Sequence, residues 1–152
     1  MRSVRLLSGL LLVLTLLGAL AACGGEPVTL ADLPVHPDAS PLEPGSNPMA
    51  DTVADSIRQS FGQGAVSVDM QLYTLPAETS WERVQAFYEE QISAIGGDWE
   101  AEPQLAQDTP ALKTIGWSRG AFAGEQGLVI SYGPPLLGNP PFLLVALVSE
   151  GS

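Results

Sequence analysis

The chain has 152 residues, 45% of them apolar, with 6 Lys and Arg against 17 Asp and Glu and a formal net charge of -11. This length predicts one domain of ordinary size. The acidic excess argues against nucleic acid as a partner, because such binding depends on Lys and Arg contacts to phosphates. The single cysteine cannot form an internal disulfide.

Residues 1–22 are predicted to be a cleaved secretory signal peptide. Arg2 and Arg5 supply its positive start, and residues 6–20 form an uncharged run rich in leucine. The run ends in a site that resembles the bacterial lipobox, an aliphatic residue and two small residues before a cysteine: Leu20, Ala21, Ala22 and Cys23.

The lipobox resemblance implies that the Cys23 thiol receives a diacylglycerol and becomes the first residue of the mature protein. The membrane is then a partner through the lipid on Cys23, and the protein is expected on the extracytoplasmic face of the cell membrane. An uncleaved signal anchor over residues 6–25 is one alternative, because 20 uncharged residues can span a bilayer. An ordinary secreted protein cleaved after Ala22 is another.

Residues 23–47 are rich in proline and glycine, which excludes a regular helix and predicts a semi-extended tether. The stretch 33–39 is more apolar than a linker, so it can lie along the folded body as an edge segment. A single α+β domain is expected over residues 48–152.

A first amphipathic helix is predicted after Asn47, which can cap it, with Pro48 at its first position. Gly62 offers a stop. Apolar residues recur between them at steps of four, as one face of a helix requires: Met49, Val53, Ile57 and Phe61.

A second helix is predicted after Thr79, which forms a capping-box pattern with Glu82. Gly96 and Gly97 are expected to end it. Its apolar stripe consists of Trp81, Val84, Phe87, Tyr88, Ile92 and Ile95.

Five segments read as strands. Residues 66–73 alternate apolar and polar side chains, as a half-buried strand does. Residues 142–148 are continuously apolar, which predicts a central strand covered on both faces. The other three segments are 99–102, 113–119 and 127–132. The expected fold is therefore an α+β domain, with an antiparallel sheet of four or five strands packed against two helices.

Several of these segments together resemble a loose group of small bacterial lipoproteins of uncharacterised function. The resemblance is carried by residues 33–39, by Trp81 to Tyr88 in the second helix, by 96–99 after it and by the hairpin around Trp117. It implies a fold and an extracytoplasmic address. It implies neither a reaction nor a catalytic residue.

Candidate chemical groups are few, so we expect neither an enzyme nor a cofactor. The nucleophile, metal and nucleotide motifs are absent, and His36, the only histidine, lies between two prolines and is expected to be structural or exposed. Asp98, Glu100 and Glu102 alternate, so they could share one face of a strand. Three side chains are too few for a typical calcium site, which favours a solvated edge.

The tryptophans are expected to pack in the core. Trp81 lies in the first turn of its helix and is also a candidate partner contact, together with Leu136 and Leu137. The loop 134–141 presents Leu136 and Leu137 between paired prolines, which predicts a contact surface for a partner or the membrane. The expected function is a non-catalytic binding or structural role on the envelope, with an envelope protein as partner. The alternative is a small-ligand or lipid-binding module with an apolar pocket between helix and sheet.

Overall fold

A computed structural model describes residues 26–62, 66–121 and 124–150. Two α-helices are formed, α1 over Pro48–Phe61 and α2 over Trp81–Ile95. The strands are β1 Ser40–Pro41, β2 Val66–Thr74, β3 Glu100–Ala101, β4 Gln107–Asp108, β5 Lys113–Ala121, β6 Gly124–Gly133 and β7 Phe142–Glu150. Short 3-10 turns occupy Leu30–Asp32 and Pro103–Leu105.

The strands form one sheet in the order β1-β2-β7-β6-β5-β3, and β4 also pairs with β5. Every pairing is antiparallel. The α+β class with two helices is therefore confirmed. The expected count of four or five strands is wrong, because the described residues form seven. The two strands that were missed, β1 and β4, have two residues each, and so short a segment shows no periodicity.

Strand β7 lies between β2 and β6, as its continuous apolar sequence predicts. Its residues 142–147 are all buried. Leu143, Val145 and Leu147 pack on the α2 side of the sheet, while Leu144 and Ala146 pack on the α1 side. The two helices therefore cover opposite faces of the sheet.

The α2 face carries the larger apolar cluster. Val84, Tyr88 and Ile92 of α2 pack there on the middle strands of the sheet. The segment that precedes α1 covers the rest of this face, with Leu33 buried in the same cluster. Residues 28–42, which lie within the predicted tether, are thus in contact with the sheet.

The α1 face carries a smaller cluster. Ala54 and Ile57 of α1 pack on Val129, Leu144 and Ala146. Beyond α1, the side chain of Leu105 packs against the same cluster from the Pro103–Leu105 turn.

The two helix starts differ from each other. At α1 the predicted cap is confirmed, because the Asn47 side chain accepts hydrogen bonds from the backbone N–H groups of Met49 and Ala50. At α2 the cap position is Ser80, not Thr79, so the predicted capping box does not form. The Thr79 carbonyl instead accepts a hydrogen bond of 2.7 Å from the Tyr132 hydroxyl, which fixes this turn to the sheet.

Candidate functional site

A groove of about 480 Å³ opens on the α1 face of the sheet, and we call it the α1 groove. One wall is α1, which contributes Val53, Ser56 and Ser60. The other wall is the segment 104–107, which follows β3 and leads into β4. Val129 and Ser131 of β6 form part of the floor. The volume falls within the range of pockets that hold small ligands.

The lining of the α1 groove is apolar, with hydroxyl and amide groups but no charged side chain. At its floor the hydroxyls of Thr114 and Ser131 lie 3.1 Å apart and share a hydrogen bond. Gln104 and Gln107 supply amide groups at the rim. In a chain with 17 acidic residues, a lining free of carboxylates suits an uncharged ligand and offers no acid or base for catalysis.

A second notable feature is the way in which the first described residues are held. The Gln126 side chain accepts a hydrogen bond of 2.9 Å from the Val28 N–H, and it donates one of 2.7 Å to the Val28 carbonyl. Arg119 donates through Nη2 to the carbonyl oxygen of Glu26. Both side chains come from the β5–β6 hairpin, so this end of the sheet fixes residues 26–28.

Arg119 is an unusual cation, because its side chain is buried, at 6% exposure, and forms no ion pair with the described residues. Its guanidinium lies 5.3 Å from the centre of the Trp99 ring, a cation–π distance. Two features favour glycine at position 97. A Cβ atom there would come within 2.5 Å of Arg119 Nη1, and the backbone φ of +91° is one that glycine adopts without strain. Arg119 thus links the turn after α2 to Glu26.

His36 is buried, at 3% exposure, against α2. Its ring meets that of Phe87 edge to face at 5.1 Å, and its Nδ1 accepts a hydrogen bond from the Asp38 N–H. Burial lowers the pKa of His36, an effect opposed by the Asp38 carboxylate and reinforced by Arg83. The histidine is a structural residue of the segment before α1.

The three alternating carboxylates, Asp98, Glu100 and Glu102, have different surroundings. Glu102 accepts a hydrogen bond of 2.6 Å from the Ser118 hydroxyl, while Glu100 lies in β3 and Asp98 precedes it, both exposed. Within the described ranges no group of three or more His, Cys, Asp or Glu side chains is arranged to hold a metal ion.

The predicted contact loop, 134–141, forms a turn in which Leu136 and Asn139 pair as a bridge. Leu137 at its tip is 90% exposed and has a positive φ of 54°, which is strained for a leucine. Trp81 is half-buried, and the centroid of its ring lies 6.1 Å from that of Tyr132, in the strand that leads into this loop.

The other two tryptophans pack in or beside the apolar core. Trp117 belongs to the buried cluster on the α2 face, in agreement with the expected core role. Trp99 is half-buried beside the same cluster, beneath the Arg119 guanidinium. The predicted lipobox residues, Leu20, Ala21, Ala22 and Cys23, lie outside the described residues.

Comparison with known proteins identifies no relative: no family description matches the chain, and no curated protein or solved structure is significantly similar to it. In the described part of the chain no helix is long and apolar enough to cross a membrane.

The sequence analysis offered an apolar pocket between helix and sheet as an alternative but predicted none of the residues of the α1 groove, and it did not predict the clamp formed by Arg119 and Gln126. The groove brings together residues from 53 to 131, so only the tertiary fold could reveal it. For the clamp a weak signal existed. Arg119 and Gln126 are polar residues within strands that are otherwise largely buried.

Proposed function

We propose that this protein is a lipoprotein, anchored by a lipid on Cys23 to the extracytoplasmic face of a cell membrane, with a non-catalytic binding role. The sequence Leu20-Ala21-Ala22-Cys23 after a leucine-rich run carries the proposal. A diacylated residue gives stable anchoring, since each buried methylene contributes about 0.8 kcal/mol.

The described domain is fixed to the sheet a few residues after the proposed lipid site. Glu26, three residues after the proposed lipid site, accepts a hydrogen bond from Arg119. From there the chain is integrated into the fold through Val28 and Leu33.

Membrane fractionation of a bacterium that produces the full chain tests the anchor. The wild-type protein should stay with the membrane pellet after a high-salt wash, because the lipid and not charge holds it. Cys23→Ser should move the protein to the soluble fraction or block its maturation. Gly24→Ser, which adds the same hydroxyl one residue later, is the matched control and should remain anchored. Cys23→Ser protein that stays in the membrane pellet with its signal peptide removed, as the Gly24→Ser protein does, contradicts the proposal.

The α1 groove favours a second candidate function, the binding of a small uncharged ligand with an apolar body. The lining combines apolar side chains with hydroxyl and amide groups and has no charge. This combination binds an apolar surface and orients a few polar atoms on it.

Titration with Nile red, an uncharged apolar dye, tests the groove. Saturable fluorescence enhancement is expected, and Ser60→Trp on the groove wall should abolish it. Ser93→Trp on α2 is the control, because both serine hydroxyls donate to the carbonyl four residues earlier, at 2.8 and 3.0 Å. Absence of saturable binding, or equal binding by the two variants, contradicts the ligand-binding function.

A further inference from the structure

The clamp on residues 26–28 places the proposed lipid at one end of the sheet. Arg119 and Gln126 belong to the two strands of the β5–β6 hairpin and lie near its closed end. Ser149, near the end of β7, hydrogen-bonds to the same Gln126 side chain. We call this the hairpin end of the sheet.

The distance from the clamp to the proposed lipid is short. Three peptide units join Cys23 to Glu26, and a fully extended chain spans about 3.5 Å per residue. The lipid-bearing residue therefore lies within about 10 Å of the Glu26 Cα. A proline-rich tether of 25 free residues would have allowed the domain to move far from its anchor. The clamp at Glu26 and Val28 removes that freedom.

The exposed Leu136–Leu137 turn lies at the other end of the same strands. β6 runs from the hairpin end at Gly124 to Gly133, and the turn follows directly. At about 3.4 Å per residue, the ten residues of β6 cover about 30 Å. The connection from β2 to α2 lies at this second end too, since the Leu75 N–H donates to the Pro141 carbonyl.

We infer that the domain stands on its membrane with the hairpin end facing the lipid headgroups and the Leu136–Leu137 turn facing away. This orientation rests on the proposed lipid anchor. In this orientation the strands hold the exposed Leu136–Leu137 turn about 30 Å from the hairpin end, away from the anchoring bilayer. Glu125 and Glu150 are exposed at the hairpin end, and their carboxylates favour a hydrated contact with the headgroups.

Energy transfer to labelled lipid measures this orientation. The lipidated full chain, with Glu125→Cys or Leu137→Cys, is reconstituted in vesicles that carry a headgroup-labelled acceptor lipid. Cys23 is blocked by its lipid, so the introduced cysteine is the single thiol for the donor dye. Transfer from position 125 should be several-fold stronger than from position 137.

A flexible insertion gives the control. Six Gly and Ser residues between Gly24 and Gly25 extend the reach by about 20 Å without touching the described fold. The difference between positions 125 and 137 should then shrink. If vesicle-bound protein without the insertion shows equal transfer from positions 125 and 137, or stronger transfer from 137, the orientation is overturned but the anchor is not. The same holds if the insertion leaves the difference between the two positions unchanged. Protein that does not bind the vesicles at all overturns the anchor, and the orientation with it.

Discussion

The environment of His36 makes this residue sensitive to acid. Its ring is buried against Phe87, and burial lowers its pKa in the folded state. In the unfolded chain the pKa of histidine is about 6.5, so between its unfolded and folded pKa values the unfolded state binds more protons. The contribution of His36 to stability is therefore present above pH 6.5 and is lost as the pH falls through the folded pKa.

We predict that the free energy of unfolding decreases from pH 7.5 to pH 5.5, by at most about 1.4 kcal/mol per pH unit for this group. His36→Gln should flatten the dependence, because the chain has no other histidine. Urea denaturation of both proteins at the two pH values measures the two slopes. Equal slopes would show that another group carries the pH dependence.

The few cations of the chain have different structural roles. Without residues 1–22, four cations remain against 17 acidic residues. Three form ion pairs at the surface, the exposed Arg58 with Asp55, the exposed Arg83 with Asp38 and the half-buried Lys113 with Asp108. Exposed pairs of this kind contribute little to stability. The fourth cation, the buried Arg119, donates to the Glu26 carbonyl and so fixes the chain near the proposed lipid anchor.

At the scale of elements, the packing of the Pro103–Leu105 turn on β5 depends on Gly116. A Cβ atom there would lie 2.8 Å from Leu105 Cβ and 3.1 Å from the Leu128 carbonyl oxygen. The turn that forms one wall of the α1 groove can therefore approach the sheet only over a glycine.

Gly116→Ala is expected to lower the free energy of unfolding by about 1 to 3 kcal/mol, as overpacking does. It should also weaken Nile red binding, because Leu105 lines the groove. Gly120→Ala on the same strand is the control, since a Cβ there meets nothing within 4 Å and should have almost no effect. Chemical denaturation compares the two variants. A Gly116→Ala protein as stable as the control would mean that the turn is not packed on β5.

The elements that could be predicted from the sequence are those with local signals. Asn47 caps α1, and the long apolar run of β7 marks the centre of the sheet. The two-residue strand β1 carries no such signal, because its pairing with β2 is a tertiary contact. The same reason hides the α1 groove and the Gln126 contact with Val28, which joins residues 98 positions apart.

For the whole molecule, the negative charge and the proposed lipid anchor act in opposite directions. Charge alone would hold the domain away from an anionic membrane, as its composition predicts. The clamp at residues 26–28 limits the separation to the reach of three residues. The protein is thus expected to be a short, oriented post that presents an apolar turn at its far end, not a domain on a long tether.

The intact mass of the protein extracted from its membrane tests the central claim most directly. We predict a chain that begins at Cys23, heavier than the unmodified sequence 23–152 by a thioether-linked diacylglycerol, with or without a further acyl chain on its amino group. The fragment ion that contains Cys23 should carry all of the added mass. A chain that retains residues 1–22, or one that begins at residue 23 with no added mass, would contradict the account.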